Sequence, residues 1–509
     1  MVRSALRTLR TLHPSPKNPC ARTSVLPVPN SHPSVPAPSS ITGAVAGSTS
    51  QPRYFSFLPS RTQRNLIQTP PGTLMPITKL SGLPASVVPV AAAAVLACSL
   101  RRTLSTVKAP PKKNEHQRVR ESSRIASTDT PCIVMMQTLL KDAKDYSKLS
   151  QGVVFWKPPK EAIQMATDAL NEGKEIHGYG MDEGNSILRQ ALKEKLKIEN
   201  GLSNSEVMVT CGANQAFANL VVSLSDHDDA VIMFPPYYFN HLMAVQMTGG
   251  SLSVELGACD HNTMLPDVSW LEDRLGDMER KKKVSMVVLS SPCNPTGVVI
   301  PKDILQRISD ACEKAGVWLV MDNTYEYFVY DGLSHTTLEG PHIINIFSFS
   351  KAYGMMGWRI GYIAYPPTLR DSLLKAQDTI PICPTQISER VAIGALKAGR
   401  KWVEEKLPVV CKNRDLIRRS LEPLKVVGGQ GAIYLLAKLP EKYMNSDVEV
   451  VKWLANRHKV ALIPGSSCGM PGWVRVAYAN MLDEDIQIAA KRLKAGVEAL
   501  TSENSPEFN

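Results

Sequence analysis

Five short strand-like runs, Val207–Thr210, Ala230–Phe234, Val284–Leu289, Val317–Met321 and Ile343–Phe347, recur through the middle of this chain with helix-patterned stretches between them. Short apolar runs that stop at a turn read as buried strands, and strands alternating with helices place a chain in the α/β class. In open sheets of that class, ligands collect outside the carboxyl ends of the strands. The fifth run opens into Ser348-Phe349-Ser350-Lys351-Ala352-Tyr353-Gly354-Met355-Met356-Gly357-Trp358-Arg359-Ile360-Gly361-Tyr362. A lone lysine is thus delivered where a buried strand becomes a turn, with two serines just before it and Arg359 after it. A desolvated lysine shifts its pKa readily and forms Schiff bases with carbonyls. Serines, close-approach glycines and an arginine around it could hold a phosphate beside the reactive amine.

The formal net charge of +11 invites a nucleic-acid reading, which its distribution argues against. Of the 58 Lys and Arg, 14 precede Glu115, the first acidic residue, leaving 44 to set against 47 acids. The basic balance belongs to the leader, and no basic patch interleaved with aromatics follows it. Ten cysteines are scattered with no C-x-x-C and no Cys/His spacing that suits zinc, so no metal site is expected. They read as reduced thiols, which fits a cytosolic, matrix or stromal setting.

Residues 1–130 read as a disordered basic leader, with KKNEHQRVRESSR from Lys112 to Arg124 as its linker into the fold. Arg3, Arg7 and Arg10 fall at helical spacing, a Ser/Pro-rich tract follows, and acids are missing before Glu115, the composition of an organellar transit peptide. A mitochondrial or plastid address is the expectation, and a basic tail in a cytoplasmic protein is the alternative. Val87 to Leu100 is apolar but short and proline-interrupted for a bilayer span, and reads as a second targeting element or a signal-like segment, with a membrane segment as the alternative.

Other strand ends and turns carry chemistry too. Cys211-Gly212-Ala213-Asn214 puts small residues at a helix start, where free N–H groups meet an anion. Pro235-Pro236-Tyr237-Tyr238 offers an aromatic for ring stacking or for core packing. Ser291-Pro292-Cys293-Asn294-Pro295-Thr296-Gly297 is a turn at a strand's carboxyl end. Asp322 closes a buried strand and needs a partner for its charge. Arg475 stands in the strand-like Trp473–Tyr478, as an exposed salt-bridge former or as a buried anion fork. Tyr179 precedes a Gly-x-x-x-Gly loop, and Leu149–Trp156, which contains Gly152, reads as a turn before the helix that starts near Glu161.

In this order, from about Pro131 to Leu500, the motifs resemble the class I aminotransferases of fold type I, which use pyridoxal 5′-phosphate. The resemblance implies a large domain with a mostly parallel, seven-stranded-type sheet over about 165–385. It implies a smaller α/β domain built from the N-terminal segment and 386–503, within a family region of 131–503. It assigns Lys351 as the residue that bonds the cofactor and moves the proton, Asp322 to the pyridine nitrogen, Asn294 and Tyr325 to the phenolic oxygen, and Tyr238 to the ring face. Arg359, Ser348, Gly212, Ala213, Asn214 and Tyr179 of a neighbouring subunit would bind the phosphate, which implies a homodimer. Gly152, Trp156, Asn294 and Arg475 would contact substrate. Asn323 departs from the glutamate more usual after the aspartate. Within the class the chain looks most like plant-type aromatic aminotransferases, which move amino groups from methionine to aromatic 2-oxo acids. Asn214 stands where some dicarboxylate-using relatives carry lysine. Partners are therefore small amino and 2-oxo acids. The competing readings are an aspartate or other L-amino acid aminotransferase, a same-fold C–S lyase, and a non-catalytic cofactor-binding sensor.

Overall fold

Side chains alternate across a strand, and here both sets are apolar, which forces the sheet to be covered on both faces. In β4 (Val284–Ser290), Met286 and Val288 enter one buried cluster with Phe217, Leu220 and Val245, while Val287 and Leu289 enter another with Leu271, Leu305 and Ile308. The helices Ala213–Leu224 and Phe239–Gly249 cover the first face, and Val268–Gly276 and Lys302–Ala315 the second. The computed structural model describes residues 120–508 apart from 142–144, 250–252 and 278–281. The leader arginines and the Val87–Leu100 run lie outside the described residues. Among the described residues, no helix is long and apolar enough to cross a membrane.

The large sheet has seven strands in the order β1-β7-β6-β5-β4-β2-β3. With β4 these are β1 (Glu206–Thr210), β2 (Ala230–Met233), β3 (Val254–Leu256), β5 (Trp318–Asp322), β6 (Ile343–Ser348) and β7 (Gly361–Tyr365). All neighbours are parallel except at β7, which runs antiparallel to both β1 and β6. Register aligns Ser290 with Asp322, Asp322 with Ile346, and Ser348 with Gly361, so the carboxyl ends of β4, β5 and β6 finish side by side.

A second, antiparallel sheet follows in the order β10-β11-β9-β8, made of β8 (Val426–Val427), β9 (Tyr434–Lys438), β10 (Ile463–Pro464) and β11 (Trp473–Ala477). The N-terminal segment threads along it. The Ser147 N–H donates to the Lys459 carbonyl at 2.8 Å, the Ala477 N–H to Leu149 at 2.8 Å, and the Phe155 N–H to Ala479 at 2.9 Å. Residues 120–130, read from composition as leader, already belong to this fold. Ser122 caps the short helix Ser123–Ala126, Arg124 donates to the Thr248 carbonyl, and Asp129 exchanges two hydrogen bonds with Gln246. Local charge and serine content hid these tertiary bonds.

Candidate active site

At the aligned strand ends lies a cavity of about 410 Å³ whose wall carries Lys351, Arg359, Arg475 and Asp322. Three cations and one carboxylate on one wall leave an excess of positive charge, which suits anionic ligands. Lys351 follows β6 by one turn, and its Nζ donates to the Gly152 carbonyl at 2.5 Å. Burial, reinforced by Arg359 and Arg475, pulls its pKa from the usual 10.5 down to about 8. In the cofactor-free protein the folded chain therefore binds fewer protons than the unfolded chain between about pH 8 and 10.5, so stability rises with pH across that window. Lys351→Met is expected to flatten this slope in urea melts taken along the pH series, and an unchanged slope would contradict the assignment.

Asp322 ends β5 and is buried. Burial alone would raise its pKa, but His241 Nε2 at 3.2 Å from Oδ2 and the Thr324 N–H at 3.0 Å from Oδ1 outweigh it and hold the carboxyl below its ordinary value. His241 escaped the sequence reading. It stands one helical turn beyond Tyr238, packed against the Phe217 ring at 4.3 Å, where a histidine on an apolar helix face passes for core.

Arg475 is 2% exposed, so the exposed-salt-bridge reading is corrected: β11 is an interior strand of its sheet. Its Nη1 donates to Asn294 Oδ1 at 2.9 Å and its Nη2 to the Ser150 carbonyl at 2.8 Å. The guanidinium lies 4.4 Å from the Tyr434 ring centre and forms no salt bridge among the described residues. Its buried Nε has no hydrogen-bond partner among them either. An unpaired buried donor costs about 1–3 kcal/mol, which an arriving carboxylate would offset.

Tyr434, in β9, is the second residue the sequence reading missed. Its hydroxyl meets that of Tyr325 at 2.7 Å, and burial pushes the Tyr325 pKa well up. Tyr238, on the same wall, is pushed up to about 12 by burial and accepts from Asn240 at 2.9 Å. A Cβ on Gly152 would overlap the Tyr434 hydroxyl. Gly152→Ala is therefore expected to displace Tyr434 and lower kcat/KM by about tenfold or more, since overpacking costs about 1–3 kcal/mol. Tyr434→Phe removes the overlapping atom, so a double mutant no better than Gly152→Ala alone would refute this packing account.

On the opposite flank, Gly212 (φ +88°) starts the helix Ala213–Leu224, and a Cβ there would overlap the Arg359 guanidinium. Arg359 itself takes a left-handed φ of 52° and donates from Nη1 to the Met356 carbonyl at 2.9 Å. Ser348 Oγ accepts the Ser350 N–H at 3.1 Å. Ala213, Asn214, Ser348 and Arg359 all line the cavity, as do Gly152, Tyr238, Asn294 and Tyr325.

Three of the sequence-expected residues are not on that wall, and the first of them, Gly212, stands just behind it against the Arg359 guanidinium. Trp156 does not line the cavity: its ring stacks on Phe328 and its Nε1 donates to the Ala352 carbonyl at 3.1 Å, which fixes the residue after Lys351 from behind. Tyr179 is 83% exposed, on a turn held by the Gln386 amide donating to the Gly178 carbonyl at 2.6 Å.

Residues 144–493 match the family described as aminotransferase class I and II. The chain belongs to that family. This aminotransferase is 48% identical to the aromatic aminotransferase ISS1 of Arabidopsis thaliana, over 74% of its own length and 96% of the relative's. It is 30% identical to an aspartate aminotransferase of Pyrococcus abyssi, over 67% and 89%. Among solved structures, the aspartate aminotransferase of Thermus thermophilus with maleate superposes with a TM-score of 0.68 at 27% identity, covering 74% of this chain and all of that one. The aromatic aminotransferase of Pyrococcus horikoshii gives 0.64 at 28%, covering 71% and 98%. The enzyme is a fold type I transaminase that uses pyridoxal 5′-phosphate. The wall fits that group: a lysine of lowered pKa, an ionised buried carboxylate, and the helix start at Ala213 and Asn214 beside an arginine are gathered on one cavity.

Proposed function

We propose that this aminotransferase carries amino groups between methionine or an aromatic L-amino acid and an aromatic 2-oxo acid. The observation that carries the reading is the likeness to the Arabidopsis aromatic aminotransferase across nearly that enzyme's whole length. The cavity supports it: among the described residues its wall holds no cation beyond Lys351, Arg359 and Arg475 for a distal carboxylate, whereas Ile133, Val153, Tyr238 and Phe239 offer apolar surface.

When bound, pyridoxal phosphate supplies a carbonyl carbon that combines with amines and a ring that withdraws electrons from Cα. The protein's own work is positional and acid–base. Asp322, kept ionised by His241 and Thr324, would hold the ring nitrogen protonated. Asn294 and Tyr325 would hold the phenolic oxygen, with Tyr238 over the ring. Ser348, Arg359 and the N–H groups at Gly212, Ala213 and Asn214 would take the phosphate. Lys351 Nζ, with a midpoint of about 8, can both accept the proton from the substrate's Cα and return it, as general acid–base catalysis near neutral pH requires. Arg475, held by Asn294 and the Ser150 carbonyl, would grip the carboxylate through its unpaired Nε and a remaining Nη N–H and so orient the Cα–H bond.

The exposed Tyr179, beside Met181 at 57% and Ile187 at 61% exposure, suits a homodimer in which Tyr179 reaches the neighbouring subunit's phosphate site. Mixing Lys351→Ala with Tyr179→Phe subunits would then restore activity above either parent. The acid-free stretch before Glu115 supports an organellar address. A reporter fused to residues 1–119 is expected in mitochondria or plastids, and diffuse cytoplasmic signal would count against it. For the substrate, steady-state kinetics should give methionine or an aromatic donor a kcat/KM at least about tenfold above aspartate's. A lyase would release its 2-oxo acid without an acceptor, and that result would replace this proposal.

A further inference from the structure

Asn323 is the position where the sequence leaves its family's usual pattern, and the structure surrounds it with an unassigned histidine. Its amide nitrogen donates to the Met321 carbonyl at 3.2 Å and to Asn345 Oδ1 at 3.0 Å. The oxygen that remains, Oδ1, lies 3.1 Å from His335 Nε2, and the same Nε2 lies 3.0 Å from the Ser291 carbonyl. Both neighbours can only accept, so Nε2 carries the hydrogen and shares it between them. Burial pulls the His335 pKa down, which keeps the ring neutral.

We propose that His335 is a positioning residue for the reaction, its shared Nε2–H locking the turn that carries Asn294 to the strand end that carries Asp322. Ser291 begins the first turn, three residues before Asn294, and Asn323 directly follows Asp322. Ser291 is anchored through all its polar atoms: its N–H donates to the Asp322 carbonyl at 3.1 Å, its Oγ accepts from Ile300 at 3.1 Å, and its carbonyl accepts from His335. Asn345, on β6, passes the link on by donating to the Leu338 carbonyl at 3.0 Å. Without the histidine, a buried carbonyl and a buried amide oxygen would lose their shared donor, and the turn carrying Asn294 would keep the Ser291 N–H bond to the Asp322 carbonyl but lose its second tie to that strand end. His335 reaches them from the wall of a separate polar cavity of about 240 Å³, shared with Glu199, Glu326 and Arg400, and not from the substrate cavity.

The inference rests on the roles proposed above for Asn294 and Asp322, and its test separates the two. His335→Leu removes the donor, and His335→Gln supplies an N–H on a side chain of similar reach. Each is compared with wild type by titrating cofactor-free protein with pyridoxal phosphate, by KM for the preferred amino acid, and by thermal melting. His335→Leu is expected to weaken cofactor binding and raise KM by about tenfold each, with His335→Gln within about threefold of wild type. If His335→Leu lowers Tm alone, or if His335→Gln is as impaired as His335→Leu, the positioning role is wrong. Should the leucine variant fail to fold, Asn323→Ala removes one acceptor while leaving the Ser291 bond, and wild-type cofactor affinity and KM in that variant would equally overturn it. Failure of the wild-type protein to bind pyridoxal phosphate would instead sink the underlying reading.

Discussion

Lys351→Ala is expected to retain bound cofactor and amino acid yet lose turnover by at least about 10⁴-fold, the upper range for removing a positioned acid–base group that also bonds the cofactor. Lys351 is the only cavity-wall residue among those described whose amine is driven toward neutrality, because burial and two guanidinium groups disfavour its charge. Its hydrogen bond to Gly152 is a single contact to a neutral carbonyl, which leaves the amine able to exchange partners. Small exogenous amines such as methylamine should restore part of the rate, since they supply the missing proton carrier without the chain. Full activity in the alanine variant, measured by product formation, would overturn the proposed mechanism.

Arg475→Lys is expected to lower kcat/KM by about a hundredfold for amino and 2-oxo acids alike, although the charge is conserved. The guanidinium fork holds Asn294 and the Ser150 carbonyl at once while its Nε remains for a ligand, and an ammonium on a flexible stem cannot reproduce that arrangement. Loss of the fork also frees Asn294, so both substrate orientation and grip on the cofactor's oxygen should suffer. The check is steady-state kinetics with donor and acceptor varied separately. An effect confined to one of them would contradict a common carboxylate site.

How far the sequence revealed this depended on how local each cause was. Five of the seven strands of the large sheet were legible to within about a residue because a sheet covered on both faces demands continuous apolar runs, as β5 and β6 show, whereas the short, partly exposed β3 and the antiparallel β7 were not read as strands. The residues at their ends, Asp322 and Ser348, followed from the strand boundaries. The turns at Asn294 and Gly212 were legible as turns, and their chemistry came from resemblance. His241 and Tyr434 were missed because each acts on a residue remote in the chain, Asp322 and Tyr325. Trp156 lies off the cavity wall for the converse reason: its place near Gly152 in the chain does not say which way the chain turns, and its indole N–H is bound to Ala352, 196 residues away. Arg475 could not be resolved between surface and interior until the order of the small sheet showed β11 between two neighbours. The early start of the fold at residues 120–130 depends on bonds to Gln246 and Thr248 that composition does not encode.

The most direct test of the central claim follows the visible absorbance of the cofactor-loaded enzyme through one half-reaction at a time. Methionine alone should bleach the lysine-bound cofactor's band with release of one 2-oxo acid per site. Phenylpyruvate added afterwards should restore the band as phenylalanine appears. If methionine and aromatic donors leave the band unchanged while aspartate bleaches it, the proposed substrate preference is wrong. If no amino acid bleaches the band, the assignment of this cavity as a transaminase site is contradicted.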